Sequence, residues 1–211
     1  MRDRLIFGLT LVWKVAFSVT ATVLLSIPLF GLDIGWEKLT DVAGMSSGRL
    51  MHNYLVLMEY LLNPFRTKLK MPDFPDSAGA LKHFGEVKVL FLLVLILTLV
   101  LIPIVIKFYR EHLQILFHRG IIIAMVLPVL LALFAATVGF DSFFVLFHQI
   151  LFRDTTWLFD PATDPIINVL TDTFFMYCFI IFAIIYEGVM LISLLLSSNK
   201  FSGKLYGKKK S

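Results

Sequence analysis

Residues 87–106 read VKVLFLLVLILTLVLIPIVI. A run of about 20 apolar residues, rising ~1.5 Å each as a helix, covers the ~30 Å hydrocarbon core of a bilayer. Three further runs share this character: Leu9–Phe30, Ile121–Gly139 and Phe174–Leu196. The whole chain agrees with them. Hydrophobic residues make up 58% of it and charged ones 16%, and the mean hydropathy is +0.86, outside the range of an ordinary soluble domain. The expected fold class is all-α: a polytopic membrane protein with four transmembrane helices, residues 1–211 forming a single integral membrane domain. Pro28, Pro103 and Pro128 are kink positions that spanning helices tolerate. Lys14 is placed to snorkel toward the interface. The first run is longer than a signal-peptide core and lacks a small-x-small cleavage site, so it reads as a retained helix. The single cysteine, Cys178, excludes an intrachain disulfide and any multi-cysteine metal site.

Charge sets the expected orientation. Arg2 and Arg4 precede the first span, and Lys107, Arg110 and Arg119 fill the short connection between the second and third. Lys200, Lys204 and Lys208–Lys210 follow the fourth. The positive-inside rule makes these segments cytoplasmic, giving an N-in/C-in topology with outer segments 31–86 and 140–173 and a basic tail, 197–211. The formal charge of +4 is met by attraction to anionic membrane lipids. No nucleic-acid-binding motif is present.

The outer segments carry amphipathic patterning. In Leu50–Leu62 (LMHNYLVLMEYLL), Leu50, Tyr54, Leu57, Met58 and Leu61 recur at helical spacing, as in an interfacial or bundle-packed helix. Asn63-Pro64 ends it, and Met71–Pro75 (MPDFP) is a stiff turn. Asp76 or Ser77 then caps a helix that carries His83 into the second span. After Gly139, Asp141-Ser142 starts another helix carrying His148 among phenylalanines. The stretch from Phe147 to Phe175 (FHQILFRDTTWLFDPATDPIINVLTDTFF) concentrates His148, Trp157, Asp154, Asp160 and Asp164 between two spans.

Topology sorts the five histidines. His112 and His118 fall inside; His52, His83 and His148 fall outside, so the two groups cannot share a site across the bilayer. His52 lies on a half-polar helix face. His83 and His148 are either two interface histidines facing headgroups or a pair in one site. Nucleophilic hydrolysis by serine lacks a Gly-x-Ser-x-Gly elbow. Zinc held by His83, His148 and Asp164 lacks any recognised ligand spacing. General acid–base catalysis by histidine, with a nucleophile supplied by the substrate, needs neither.

The run Phe147-His148-x3-Phe152-x4-Trp157-x3-Pro161-x2-Asp164-x-Ile166-Ile167 resembles the signature of the lipoprotein intramolecular transacylases of Gram-positive bacteria. Asn53-Tyr54, Tyr60-Leu61 and His83-x2-Glu86-Val87-Lys88 resemble its other blocks, in order. Glu86 stands where that family has Asp, and Thr171 where it often has Pro; neither change touches a histidine. The resemblance implies a substrate and a reaction. The substrate is a diacylated bacterial lipoprotein with an S-diacylglyceryl group on its N-terminal Cys. The sn-2 acyl chain moves to the α-amino group of the same Cys, giving the lyso-form. It implies no cofactor and no metal, and a multi-pass protein of the cell membrane with its active site on the extracellular side.

Within that resemblance, His83 is read as the principal base, with His148 assisting or holding the oxyanion. Asp164 is assigned either to orient a histidine or to receive the substrate ammonium, its alternative being a turn residue. Trp157 is an interfacial anchor or a substrate wall. Asn53 and Tyr54 line the headgroup pocket or tie their helix down. Asp141 faces the same way as His148 from two turns away, too far for a direct bond on an unbroken helix. The competing functions are a phospholipid acyl-ester hydrolase or transferase using the same histidines, and a non-catalytic membrane subunit.

Overall fold

The computed structural model describes residues 1–198, and among them all regular secondary structure is helical. Four helices are long and apolar enough to cross a membrane: α1 (Arg2–Trp36), α4 (Ala78–Val100), α7 (His118–Val138) and α9 (Asp172–Ser197). The others are α2 (Leu39–Ala43), α3 (Ser47–Leu62), α5 (Ile102–Arg110), α6 (Leu113–Leu116) and α8 (Phe140–Leu151), with a 3₁₀ turn at Pro165–Asn168. The basic residues from Lys200 onward lie outside the described residues.

The apolar runs locate the spans, and capping chemistry moves their ends. α4 begins at Ala78, not Val87, because the Ser77 hydroxyl accepts the Ala80 N–H (3.0 Å) and starts the helix before the hydrocarbon run. It ends at Val100, not Ile106. Pro103 falls in the first turn of the next helix, where its missing N–H is not needed, so it separates α4 from α5 and does not merely kink one helix. Pro28 and Pro128 stay inside continuous helices. Gly139, at φ +85°, takes the backbone conformation that stops α7 and starts α8.

The residues form two compact units. One comprises, among the described residues, 1–21, 94–134 and 180–198. Ile6, Phe108 and Leu113 form one part of its core; Ile121, Tyr186 and Met190 form another, with Phe7 packing on both. α1 and α7 approach so closely here that a Cβ on Gly120 would stand 2.9 Å from the Phe7 ring. At its centre Lys14 does not snorkel: it is 1% exposed. Its ammonium donates to the Ser193 hydroxyl, the Val189 carbonyl (3.1 Å) and the Tyr109 hydroxyl (3.3 Å). Fixed acceptors on α5 and α9 satisfy the cation where it sits, so extension toward water gains nothing.

The second unit comprises residues 22–93 and 135–179. α3 buries Leu50, Tyr54, Leu57, Met58 and Leu61, the stripe its sequence spacing marks. Tyr54 stacks on Phe30 (4.2 Å between centroids), meets Phe174 edge-on (5.8 Å), and shares a 2.7 Å hydrogen bond with Ser26. α8 lays Phe140, Phe143 and Phe147 around Phe179 of α9, at 5.7, 5.2 and 5.0 Å. Such edge-to-face contacts place α8 against the start of α9 without polar bonds.

Ser193→Ala removes an acceptor from a buried ammonium. It is expected to lower stability by about 1–2 kcal/mol, read as a fall in the thermal midpoint in detergent.

Candidate active site

His83 lies on α4 and His148 on α8, and the second unit brings their rings to 5.9 Å between centroids at a 40° tilt. Phe152, the residue that ends α8, touches both: 4.6 Å from His83 edge-on and 5.6 Å from His148. Phe159 covers His83 (5.6 Å), and Trp157 lies at 4.9 Å from His148. Both histidines line an apolar cavity of about 270 Å³ with Ser26, Tyr54, Phe91 and Cys178. Its walls suit hydrocarbon, and the imidazoles are its chief polar features.

Their hydrogen bonding differs. The His148 Nδ1 is 2.8 Å from the Phe144 carbonyl. A carbonyl only accepts, so Nδ1 carries the proton and Nε2 keeps its lone pair. Burial holds the His148 pKa below its ordinary value, partly offset by this backbone bond. The ring therefore stays neutral at pH 7 and able to take a proton. His83 is 7% exposed, and its Nδ1 is buried with no partner. An orphaned acceptor costs less than an orphaned donor, so His83 is read with its proton on Nε2.

The other sequence-selected residues fall in different places. Tyr54 lines the cavity. Trp157 packs on His148 and donates its indole N–H to the Asp154 carbonyl (3.0 Å), outside the cavity lining. Asp164 is 3% exposed and fully engaged: it accepts the Ser77 N–H (2.7 Å) and the Thr163 hydroxyl (2.9 Å). It ties the loop before α9 to the cap of the His83 helix and does not contact a histidine. Asn53 bonds the Arg49 carbonyl, and its side chain exchanges bonds with the Asp73 carboxylate (2.8 Å) and N–H (3.0 Å). It locks the Met71–Pro75 turn onto α3, away from the cavity lining. Asp141 is exposed in the first turn of α8.

One positioning pair was not singled out by the sequence. Lys82, beside His83, donates to Asp154. The same carboxylate accepts the Thr156 hydroxyl (2.6 Å) and N–H (3.1 Å), fixing the turn that presents Trp157 to His148. The Lys82 bond, followed by the two from Thr156, holds its pKa well below the usual carboxylate range. Asp154 thus links the two histidine-bearing segments. Its sequence signal is only a carboxylate seven residues before Pro161, which spacing alone does not distinguish from a turn residue.

The described residues thus form a helical integral membrane protein with two imidazoles on an apolar cavity, the architecture of a membrane enzyme of the acyltransferase class. The lipoprotein intramolecular transacylase Lit family profile matches residues 4–175, and the chain belongs to this family of acyltransferases. Among solved structures, it is similar to the membrane-integral Lit of Bacillus cereus determined in meso. That match has 26% identity and a TM-score of 0.80 over 100% of this chain and 99% of that one. It is similar also to two structures of that protein with a single histidine substituted. The arginine form gives TM-score 0.75 over 98% and 95%, and the alanine form 0.74 over 100% and 96%, both at 26% identity. No curated protein matches the chain.

Because the Lys82–Asp154 pair is partly exposed, Lys82→Ala is expected to reduce acyl transfer only several-fold, reflecting about 0.2–1 kcal/mol. Asp154→Ala also frees Thr156 and Trp157 and is expected to cost about tenfold or more, with ~1 kcal/mol for each lost bond. Equal losses in the two variants, measured as kcat/KM on a lipopeptide, would contradict a role for the Thr156 bonds.

Proposed function

We propose that the protein moves the sn-2 acyl chain of an S-diacylglyceryl lipoprotein to the α-amino group of the same N-terminal Cys. Histidine general acid–base catalysis performs the transfer. The observation that carries this reading is the His83–His148 pair in one apolar cavity, 5.9 Å between ring centroids, with the His148 Nδ1 engaged by the Phe144 carbonyl and its Nε2 left to act.

The reaction is an isomerisation. The amine nitrogen forms a bond to the ester carbonyl carbon, the bond from that carbon to the glycerol oxygen breaks, and one proton passes from nitrogen to oxygen. Nucleophile and electrophile sit in one molecule, so correct orientation contributes roughly 7–11 kcal/mol toward the barrier. An α-amine, with pKa about 7.7–8.0, is readily neutralised near pH 7. The cavity receives the acyl chain and holds the ester beside the imidazoles. His148 Nε2 takes the amine proton; His83 Nε2–H donates to the carbonyl oxygen as negative charge develops there. The same imidazolium at His148 then returns its proton to the leaving glycerol oxygen. This exchanges the two roles that the sequence alone assigned, because the Phe144 carbonyl selects the His148 tautomer. Among the described residues no three His, Cys, Asp or Glu side chains converge as a metal-ligand group. No step above needs one.

The charge pattern supports an N-in/C-in topology, with residues 140–173 outside. The cavity then opens to the outer leaflet of the cell membrane, where a lipid-anchored substrate resides.

His83→Gln and His148→Gln are each expected to reduce transfer by about 10²-fold or more while leaving the helical fold unchanged by circular dichroism. Full activity in either variant removes that residue from the mechanism. Because burial lowers the His148 pKa, the ring stays unprotonated at pH values where a free imidazole is charged. The acid limb of the rate profile is therefore expected to show a His148 step below 6.5, separate from the step of the substrate amine at about 7.7–8.0, measured on a lipopeptide between pH 4 and 9.

A further inference from the structure

The cavity carries polar groups at two places, and their hydrogen bonding differs. Ser26 and Tyr54 line it together with the histidines. The Ser26 hydroxyl lies 2.6 Å from the Val23 carbonyl and 2.7 Å from the Tyr54 hydroxyl. A carbonyl only accepts, so the single Ser26 proton goes to Val23, and Tyr54 donates to Ser26. Both hydroxyl protons are spent within the wall. At the histidines the reverse holds: the His83 Nδ1 is buried without a partner, and the His148 Nε2 is left to act.

The aromatic packing separates the same two places. Tyr54 stacks on Phe30 at 4.2 Å and meets Phe174 edge-on at 5.8 Å, and Phe30 meets Phe174 at 5.6 Å. Tyr54, Phe30 and Phe174 are all buried. Tyr54 and Phe174 line the cavity, and Phe30 backs them. The histidines pack on other rings: Phe152 on both, Phe159 on His83 and Trp157 on His148. Ring contacts lead from Phe174 to His148 through Phe175 and Phe144, at 5.5, 5.2 and 4.1 Å. The cavity therefore has a reactive end, where imidazole nitrogens are open, and a second end walled by three close-packed rings. Buried rings that pack on one another, with one bonded to α1, yield little to a ligand.

We propose that the wall made by Tyr54 and Phe174 receives the methyl end of the transferred acyl chain and limits the chain length the site accepts. This rests on the acyl-transfer reading above and adds the direction in which the chain lies. An ester carries polar atoms that need partners, and open nitrogens occur at the histidine end. A chain terminus needs none, and the Tyr54 end offers spent hydroxyls and ring surface. The ester therefore sits at His83 and His148, with the terminal methyl against Tyr54 and Phe174. A shorter chain leaves part of the cavity unfilled, and a longer one meets rings that do not move aside, so both bind less well.

The test uses S-dialkylglyceryl-cysteinyl peptides whose sn-2 chain is ether-linked, so that nothing reacts, and is lengthened two carbons at a time. Each is titrated against wild type, Tyr54→Ala and Tyr54→Phe in nanodiscs. Wild-type affinity is expected to rise with length and then fall about tenfold in Kd at the first chain that outgrows the cavity, near the value of two methylenes left unburied. In Tyr54→Ala the fall is expected at a chain at least two carbons longer. In Tyr54→Phe, which keeps the ring, it is expected at the wild-type length. A wild-type series without a fall, a fall at unchanged length in Tyr54→Ala, or an equal displacement in Tyr54→Phe overturns the proposal. Phe174→Leu is the second variant should Tyr54→Ala fail to fold, with the same displacement expected and the same reading if it is absent. Mass analysis of the ester-linked peptide after incubation with wild type separates the premises. Acyl relocation with the length limit unmoved in the variant sinks only the wall assignment, whereas no relocation sinks both.

Discussion

The candidate site depends on one aromatic side chain that touches both histidines. Phe152 meets His83 at 4.6 Å and His148 at 5.6 Å, and it occupies the position where α8 stops. Two imidazoles carried by different helices have no intrinsic reason to share a cavity. Packing against a common ring, with Trp157 behind one and Phe159 over the other, fixes their spacing without spending their nitrogens on each other. Hydrogen bonds could hold the rings as firmly, but they would consume the donors and acceptors the chemistry needs.

Elsewhere, buried polar groups with full sets of partners hold the fold. Lys14, Asn53 and Asp164 are buried and fully bonded, and each ties one segment to another. Such bonds satisfy polar groups that lipid cannot, and they fix one segment against another where the apolar effect contributes little.

Much of this was legible in the chain. The four spans follow from length and hydropathy, and the α3 stripe from its period. The pairing of His83 with His148 followed from topology and the family resemblance. What spacing could not reveal was set by contacts between distant residues. Ser77 caps α4, so the span starts earlier than its apolar run. Lys14 reads as a snorkelling lysine until Ser193, 179 residues later, supplies its acceptor. Asp164 and Asp154 look alike as loop carboxylates, yet one anchors a helix cap and the other clasps Lys82 beside His83.

The most direct measurement is tandem mass spectrometry of an S-diacylglyceryl-cysteinyl peptide carrying an isotopically labelled sn-2 acyl chain, before and after incubation with the protein in a bilayer. Intramolecular transfer predicts an unchanged total mass with the label moved from the glycerol fragment to the α-amine fragment. Loss of the labelled acyl mass to water, or its appearance on a second molecule, would contradict the account.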